Sequence, residues 1–537
     1  MVVKQKSKRN KSKKKKASSQ PKISKKELKI RKQKTAKEIK KLMSLVSSVG
    51  VLAVLVGVAL FFVKDEKLAI AGGGGILVAT LSYKYPMQGL WAFLIYLPFS
   101  GTITYWIGGG NALFQLAKDG FYFPALIALV QELKRQHKPF LVHKAVKTPL
   151  FILLGFCLLT LILVNGLQQL DPPYPNDKPI LMGILGLKVF LGYVPLMTCA
   201  YYQIKDQKSL LFLTRMTVVL AIICCVLGVM QYQFLVSGRC QGTDHLSGDD
   251  LFKATLDAKC LVGGSLVFSP SQSMIRLPGT FVAPWQWAWF LIANAFFTFA
   301  TAFSDPSPIW RMVGLGGMAL VFVNSAISGQ RIALALVPLV TVILLVLTGQ
   351  VTNLKRFLPI AAGLGLVLGI AVIANPQIIQ ERIDSFVSRW EASPPTAFIA
   401  EQFEHSTGRQ EGIFGNGLGR ATNSTRIFGE TKLIETYYPK LIYELGPVGT
   451  IGFLGLVTTL TFTTFKTYRS LKEKNIRSFG ASFWVFVLII SYNTYYYPLD
   501  VDPVAVYYWY FVGVIYRLPD IDKQELKRLK EEEEQGG

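Results

Sequence analysis

FGNGLGRATNSTRIFGETKLIETYYPKLIYELGPVG, residues 414–449, closes the longest polar interval in a chain otherwise built of apolar blocks. The interval begins near Asn375 and carries Arg382, Arg389, His405, Arg409, Arg420, Arg426 and Glu435. Tyr437-Tyr438-Pro439-Lys440 then leads into the next apolar run. On either side lie stretches of roughly 17–25 mostly apolar residues, the length that crosses a bilayer as a helix. A polar interval between such stretches reads as a large loop outside the hydrocarbon, and its ionisable groups make it the natural seat of chemistry. The expected fold is an all-α polytopic membrane protein with one large loop late in the chain.

Composition points the same way. Of 537 residues, 51% are hydrophobic and 17% charged, with a mean hydropathy of +0.36; soluble domains carry about 25% charged residues. Residues 1–41 hold 19 Lys/Arg against 2 Asp/Glu, which leaves seventeen of the net +25 in one tail. Attached directly to an apolar run, such a tail suits an anionic lipid surface and fixes orientation, a better fit than nucleic acid. It has no small-residue cleavage site behind a short apolar core, unlike a removable signal peptide.

About fourteen crossings are expected, the first eleven within 42–374 and three more within 441–516. They fall near 42–63, 68–83, 89–107, 121–130, 149–164, 180–202, 210–235, 281–303, 312–327, 332–347, 357–374, 441–465, 481–496 and 504–514. The fourth is short for a full crossing. The basic tail 1–41, the large loop 375–440 and a charged C-terminal tail 517–537 complete the division. With the N-terminus in the cytoplasm, alternation puts the Lys134–Lys147 stretch, the Lys205–Lys208 turn, Lys355-Arg356, the Lys466–Arg477 loop and the C-terminus inside. This is what the positive-inside rule requires. The Cys240–Cys260 loop, the turn Ser328-Gly329-Gln330-Arg331 and the large loop then lie outside.

Cys157, Cys199, Cys224 and Cys225 fall inside apolar spans, where a thiol acts as a small apolar group. Cys240 and Cys260 share one outside loop, where they stand free or joined as a disulfide. Four scattered histidines with neither a C-x-x-C nor an H-E-x-x-H pattern argue against a metal site. No Gly-rich loop ends in Lys-Ser/Thr, so nucleotide hydrolysis is not expected.

Charge held close to a bilayer is costly and usually functional, and three groups stand there on the outer side. Arg276 precedes the eighth span, Arg331 sits in a tight turn between two spans, and Glu435 lies where the chain re-enters the bilayer. Each has a plain structural alternative: Arg276 can snorkel to headgroups, Arg331 can pair with a neighbouring carboxylate or cap carbonyls, and Glu435 can be a solvated loop residue or part of an ion pair. His405, Arg409, Arg420 and Arg426 can equally be surface groups. Arg409 and Arg420 flank a glycine-rich turn from Gly412 to Gly419, where backbone can approach a ligand closely. Arginines beside one carboxylate would bind a pyrophosphate through forked hydrogen bonds, and the carboxylate could take a proton from an attacking hydroxyl.

These residues resemble the O-antigen ligase and O-antigen polymerase superfamily. The likeness rests on Arg276-Leu277-Pro278-Gly279-Thr280-Phe281 with Pro284 shortly after, and on Ser328-Gly329-Gln330-Arg331 before Ala333-Leu334-Ala335-Leu336. It also rests on Gly415-Asn416-Gly417-Leu418-Gly419 and on ETYYPKLIYELGPVG at 435–449. The resemblance covers roughly residues 270–465. It implies a GT-C-like glycosyltransferase of the bacterial plasma (inner) membrane, with both termini cytoplasmic. Such an enzyme takes a glycan from undecaprenyl pyrophosphate to a hydroxyl acceptor, without metal or other cofactor. By this likeness Arg276 and Arg331 match the pyrophosphate-binding arginines, and Arg409 is a further candidate. Glu435 stands where ligases usually carry a His-Asn pair, with Tyr438 and Glu444 in register. That departure puts lipid A core as acceptor in doubt and makes a polymerase, or a ligase for exported polysaccharide, equally fitting. The basic tail and an extra early span are similar to cyanobacterial members linked to hormogonium polysaccharide. The rival readings are a transporter or flippase for a lipid-linked glycan, which predicts an internal repeat, and a non-catalytic component of an export complex. No repeat is evident.

Overall fold

The computed structural model describes residues 25–350 and 394–536, with small gaps at 64–65, 142, 252–254, 270–273 and 411, and single positions between 380 and 391. The expected span at 357–374, the Lys355-Arg356 turn, Arg382 and Arg389 lie outside the described residues.

The chain divides into two compact units, Met1–Leu77 and Val78–Gly537. In the first, the helix Lys25–Val63 packs closely on the start of the helix Glu66–Lys84. A Cβ added at Gly73 would lie 2.7 Å from the Ala53 carbonyl oxygen. The glycine run thus supplies the small-residue contact that lets two apolar helices touch backbone to backbone.

Among the described residues of the whole chain, eight helices are long and apolar enough to cross a membrane. They lie at Met43–Phe62, Lys144–Leu170, Pro179–Gln203, Gln207–Val236, Pro284–Ser304, Pro308–Ile327, Tyr437–Arg469 and Lys474–Tyr492. Arg331–Leu347 is a shorter apolar helix. The stretches expected at 68–83, 89–107, 121–130 and 504–514 are also helical but outside these eight. The third of the expected spans is broken, passing from the helix Pro86–Tyr96 through a 3-10 turn, Leu97–Phe99, into a π-helical segment, Thr102–Ile107.

In the larger unit the centre is Pro284–Ser304, buried along its length. Its sequence PWQWAWFLIANAFFTFATAFS is apolar on every face, which suits either lipid or a protein core, and here it is enclosed by protein. Helices Gln207–Val236, Pro308–Ile327, Arg331–Leu347 and Lys474–Tyr492 surround it. At the periphery Ile152, Ile162 and Leu339 are exposed, as lipid-facing positions would be. The one sheet among the described residues is an antiparallel hairpin, Val267–Ser269 with Met274–Arg276.

Contacts between connecting segments sort into two ends. At one end the Leu277 N–H donates to the Ser328 carbonyl (2.9 Å), Tyr496 N–H to Glu435 (3.0 Å) and Lys178 N–H to Phe428 (2.7 Å). The Cys240–Cys260 disulfide belongs to this end. At the other, Tyr201 Oη bonds Asp520, Arg517 Nε donates to the Ile204 carbonyl, and the Glu473 N–H donates to Asp522. This second end carries the basic connections expected inside.

The second end is tied by a two-point ion pair. Arg215 Nε and Nη2 lie 2.8 and 2.9 Å from the two oxygens of Asp305, which is fully buried. Removing one partner leaves a buried charge without its counter-ion, at a cost of about 3–5 kcal/mol. Arg215→Met, which leaves the fully buried Asp305 carboxylate without its cation, should therefore lower the melting temperature of the detergent-solubilised protein by several degrees. An unchanged melt would show that the pair contributes nothing.

Candidate functional site

The stretch Glu435–Gly449 enters the Tyr437–Arg469 helix, and the polar residues around its first turns hold the site together. Lys440, one turn into the helix, is only 2% exposed. A buried ammonium needs a partner, and it has Asp500 in direct contact and Glu444 at 3.8 Å. Glu444 Oε1 in turn accepts from the Ala421 N–H (2.7 Å) and from Thr422 Oγ1 (2.9 Å). One lysine thus joins the helix, the 493–503 connection and the glycine-rich loop.

The helix kinks at Gly446, whose φ of 70° is left-handed, a conformation that glycine adopts without penalty. Into the kink fits the 415–419 loop. Asn416 N–H donates to the Tyr443 carbonyl (2.8 Å) and Gly417 N–H to that of Glu444 (3.1 Å). A Cβ at Gly446 would lie 2.2 Å from the Ile413 carbonyl oxygen, and one at Gly415 would lie 2.5 Å from the Gly446 nitrogen. From the other side Asn165, at the end of a π-helical segment, bonds both the N–H and the carbonyl of Leu418, at 2.9 and 3.0 Å. The glycines expected to let backbone approach a ligand let it approach protein backbone instead.

Arg420, a candidate ligand group from the sequence, is 5% exposed and fully engaged. It pairs with Asp177 at 2.5 Å and donates Nε and Nη2 to Gln168 Oε1 at 3.0 and 2.9 Å. Tyr438 is likewise buried, its hydroxyl donating to the Ser491 carbonyl. Both residues brace the fold, and neither joins the cluster described next.

That cluster forms around Glu435. Its carbonyl accepts from Tyr496 N–H, its N–H donates to Gln402 Oε1 at 3.2 Å, and the next residue bridges to Tyr495. Arg276, at the end of the hairpin, faces the same place. Burial pulls its guanidinium below the usual arginine value, while Tyr496, Glu435 and Tyr497 pull it back up. Burial and then Glu435 raise the phenols of Tyr496 and Tyr497, the latter to about 12; Arg276 partly offsets this at Tyr496, and Asn423, Arg426 and Arg276 do so at Tyr497. Both phenols therefore stay protonated near neutrality and can donate a hydrogen bond.

Arg331 joins through the chain. The residue after Arg276 bonds the turn that carries it, Leu277 N–H to Ser328 O, and Gln330 N–H donates to Ser328 Oγ at 3.2 Å. Arg331 then opens its helix half-buried. His405 lies three residues beyond Gln402 on the helix Pro395–Thr407, so both share a face. Its pKa sits below the usual histidine value through loss of hydration, reinforced by Arg409 and Lys432. Arg409 is exposed, and its carbonyl accepts from Asn416 Nδ2 (2.8 Å).

Reading the sequence missed Tyr496, Tyr497, Lys440 and Asp500. Tyr496 and Tyr497 have φ of 56° and 30°, an uncommon region for bulky residues that tends to persist where function holds it. The Trp289 indole N–H fixes the turn by donating to the Tyr496 carbonyl (3.0 Å). The available signal was the run Tyr495-Tyr496-Tyr497-Pro498 before Asp500 and Asp502, which reads on its own as an aromatic interface belt. Two cavities, of about 610 and 680 Å³, lie at the opposite, basic end. Among the described residues no group of three His, Cys, Asp or Glu is arranged to hold a metal. In comparisons with known proteins, no family and no curated protein matches the chain.

Lys440→Met should destabilise the protein by about 3–5 kcal/mol, because Asp500 is left buried without its cation. Adding Asp500→Leu should recover much of that loss in thermal melts. A double variant no better than the single would mean that the lysine does not act through Asp500.

Proposed function

We propose that the chain is an integral membrane glycosyltransferase of the ligase or polymerase type. It crosses the membrane about fourteen times, with both termini cytoplasmic, and transfers a glycan from undecaprenyl pyrophosphate to a hydroxyl acceptor at the outer face of the plasma membrane. The observation that carries this reading is the meeting of Arg276 with Glu435, Tyr496 and Tyr497, beside the turn that bears Arg331. The motif resemblance at these positions supports it. For sidedness, the disulfide at this end and the basic connections at the other support an external site.

In the proposed reaction Glu435 accepts the proton of the acceptor hydroxyl. The acceptor oxygen bonds the anomeric carbon as the bond from that carbon to the pyrophosphate oxygen breaks. Arg276 and Arg331 hold the leaving pyrophosphate, where charge grows as the bond stretches. The neutral phenols of Tyr496 and Tyr497 add uncharged donors, and Arg409 with His405 lies outside the buried group. The proton on Glu435 then passes to water.

Purified protein given a lipid-pyrophosphate glycan and a glycan acceptor should release undecaprenyl pyrophosphate. Arg276→Ala, Arg331→Ala and Glu435→Gln should each lower the rate by about 10²–10³-fold with membrane insertion intact. Unchanged product from Glu435→Gln would remove its role as base. Translocation of intact donor across proteoliposomes, without release of pyrophosphate, would establish transport instead.

A further inference from the structure

The cavity of about 610 Å³ at the basic end is lined by Lys84, Arg135, Lys138 and Lys205. All four are exposed, and among the described residues none of them is in an ion pair. The one carboxylate in the lining, Glu132, accepts from Gln136 Nε2. The other polar groups are settled as well. Tyr83 Oη donates to Gln131 Oε1 (2.6 Å) and Tyr202 Oη to the Pro139 carbonyl (2.8 Å).

Neutralising helix ends is the ordinary task of such cations, and three helices end here, at Lys84, Arg135 and Gln203. Each end carries roughly half a negative charge. Four cations outweigh those ends and Glu132 together, so the cavity keeps a positive excess of more than about one charge. Beneath the charges the lining turns apolar, with Met87, Leu129 and Leu133. Cationic above and apolar below, at the end of membrane helices, is the arrangement that takes a phosphate headgroup together with the start of its acyl chains. A cavity of this volume is of ligand size.

We infer that this cavity is a binding site for an anionic phospholipid of the inner leaflet, its phosphodiester held by Lys84, Arg135, Lys138 and Lys205. The site lies at the other end of the fold from the proposed chemistry; its assignment to the inner leaflet rests on the orientation proposed above, while its charge and apolar lining do not depend on the proposed reaction. A soluble phosphate ester shares the ionic contacts but gains nothing from the apolar floor.

The test is native mass spectrometry of the full-length protein released from nanodiscs of equal parts phosphatidylcholine and phosphatidylglycerol. Wild-type protein should retain phosphatidylglycerol in preference to phosphatidylcholine. The variant Lys84→Gln/Arg135→Gln/Lys138→Gln/Lys205→Gln should retain about tenfold less. A control removing as much charge from the same end, Lys472→Gln/Lys474→Gln/Lys523→Gln/Lys527→Gln, should behave as wild type. Equal retention by the cavity variant, or equal loss in the control, overturns the site. Displacement of the lipid by sn-glycerol 3-phosphate overturns the lipid assignment. If the fourfold variant does not fold, Lys84→Gln/Lys205→Gln carries the same comparison.

Discussion

The end of this protein that holds Glu435 depends on a lysine that is almost wholly buried. Lys440 sits at 2% exposure near the start of its helix, where an uncompensated ammonium would cost several kcal/mol. The chain meets that cost with Asp500 and Glu444, and the consequences spread from there. Asp500 fixes the connection that carries Tyr496 and Tyr497, and Glu444 fixes the backbone at Ala421 and Thr422. The residues that surround Glu435 are held by this ionic knot together with the apolar core on which Tyr495, Tyr496 and Tyr497 pack.

Burial of charge recurs as the organising cost. Arg420 with Asp177, Lys118 with Asp502, and Lys188 with Asp119 at 2.9 Å pin further connections of the same end. Each pair links segments distant in sequence, so helices that share no turn are held in register at their ends. Arg276 differs in kind. It is held among two phenols and a carboxylate, and burial lowers its pKa against their pull. A cation kept partly desolvated beside protonated phenols suits recognition of a phosphate ester, since such contacts strengthen as water is excluded.

Much of the fold was legible because membrane insertion imposes a strong rule: some twenty apolar residues per crossing, with basic connections on one side. The long apolar helices follow from that rule, whereas the pairing of Cys240 with Cys260 was left open by the sequence. What stayed hidden involves partners far apart. Nothing local reveals that Arg420 meets Asp177, or that the 415–419 glycines meet the kink at Gly446 and not a ligand, since glycine permits close approach to either. The tyrosine turn at 496–497 was hidden because it reads as the end of an apolar span.

The most direct measurement is a double-mutant cycle between Arg276→Gln and Glu435→Gln, read as stability of the detergent-solubilised protein. If the two groups share one site, their effects fail to add by about 1 kcal/mol or more. Effects that add to within about 0.5 kcal/mol would place the two groups apart, and the proposed site would have no centre.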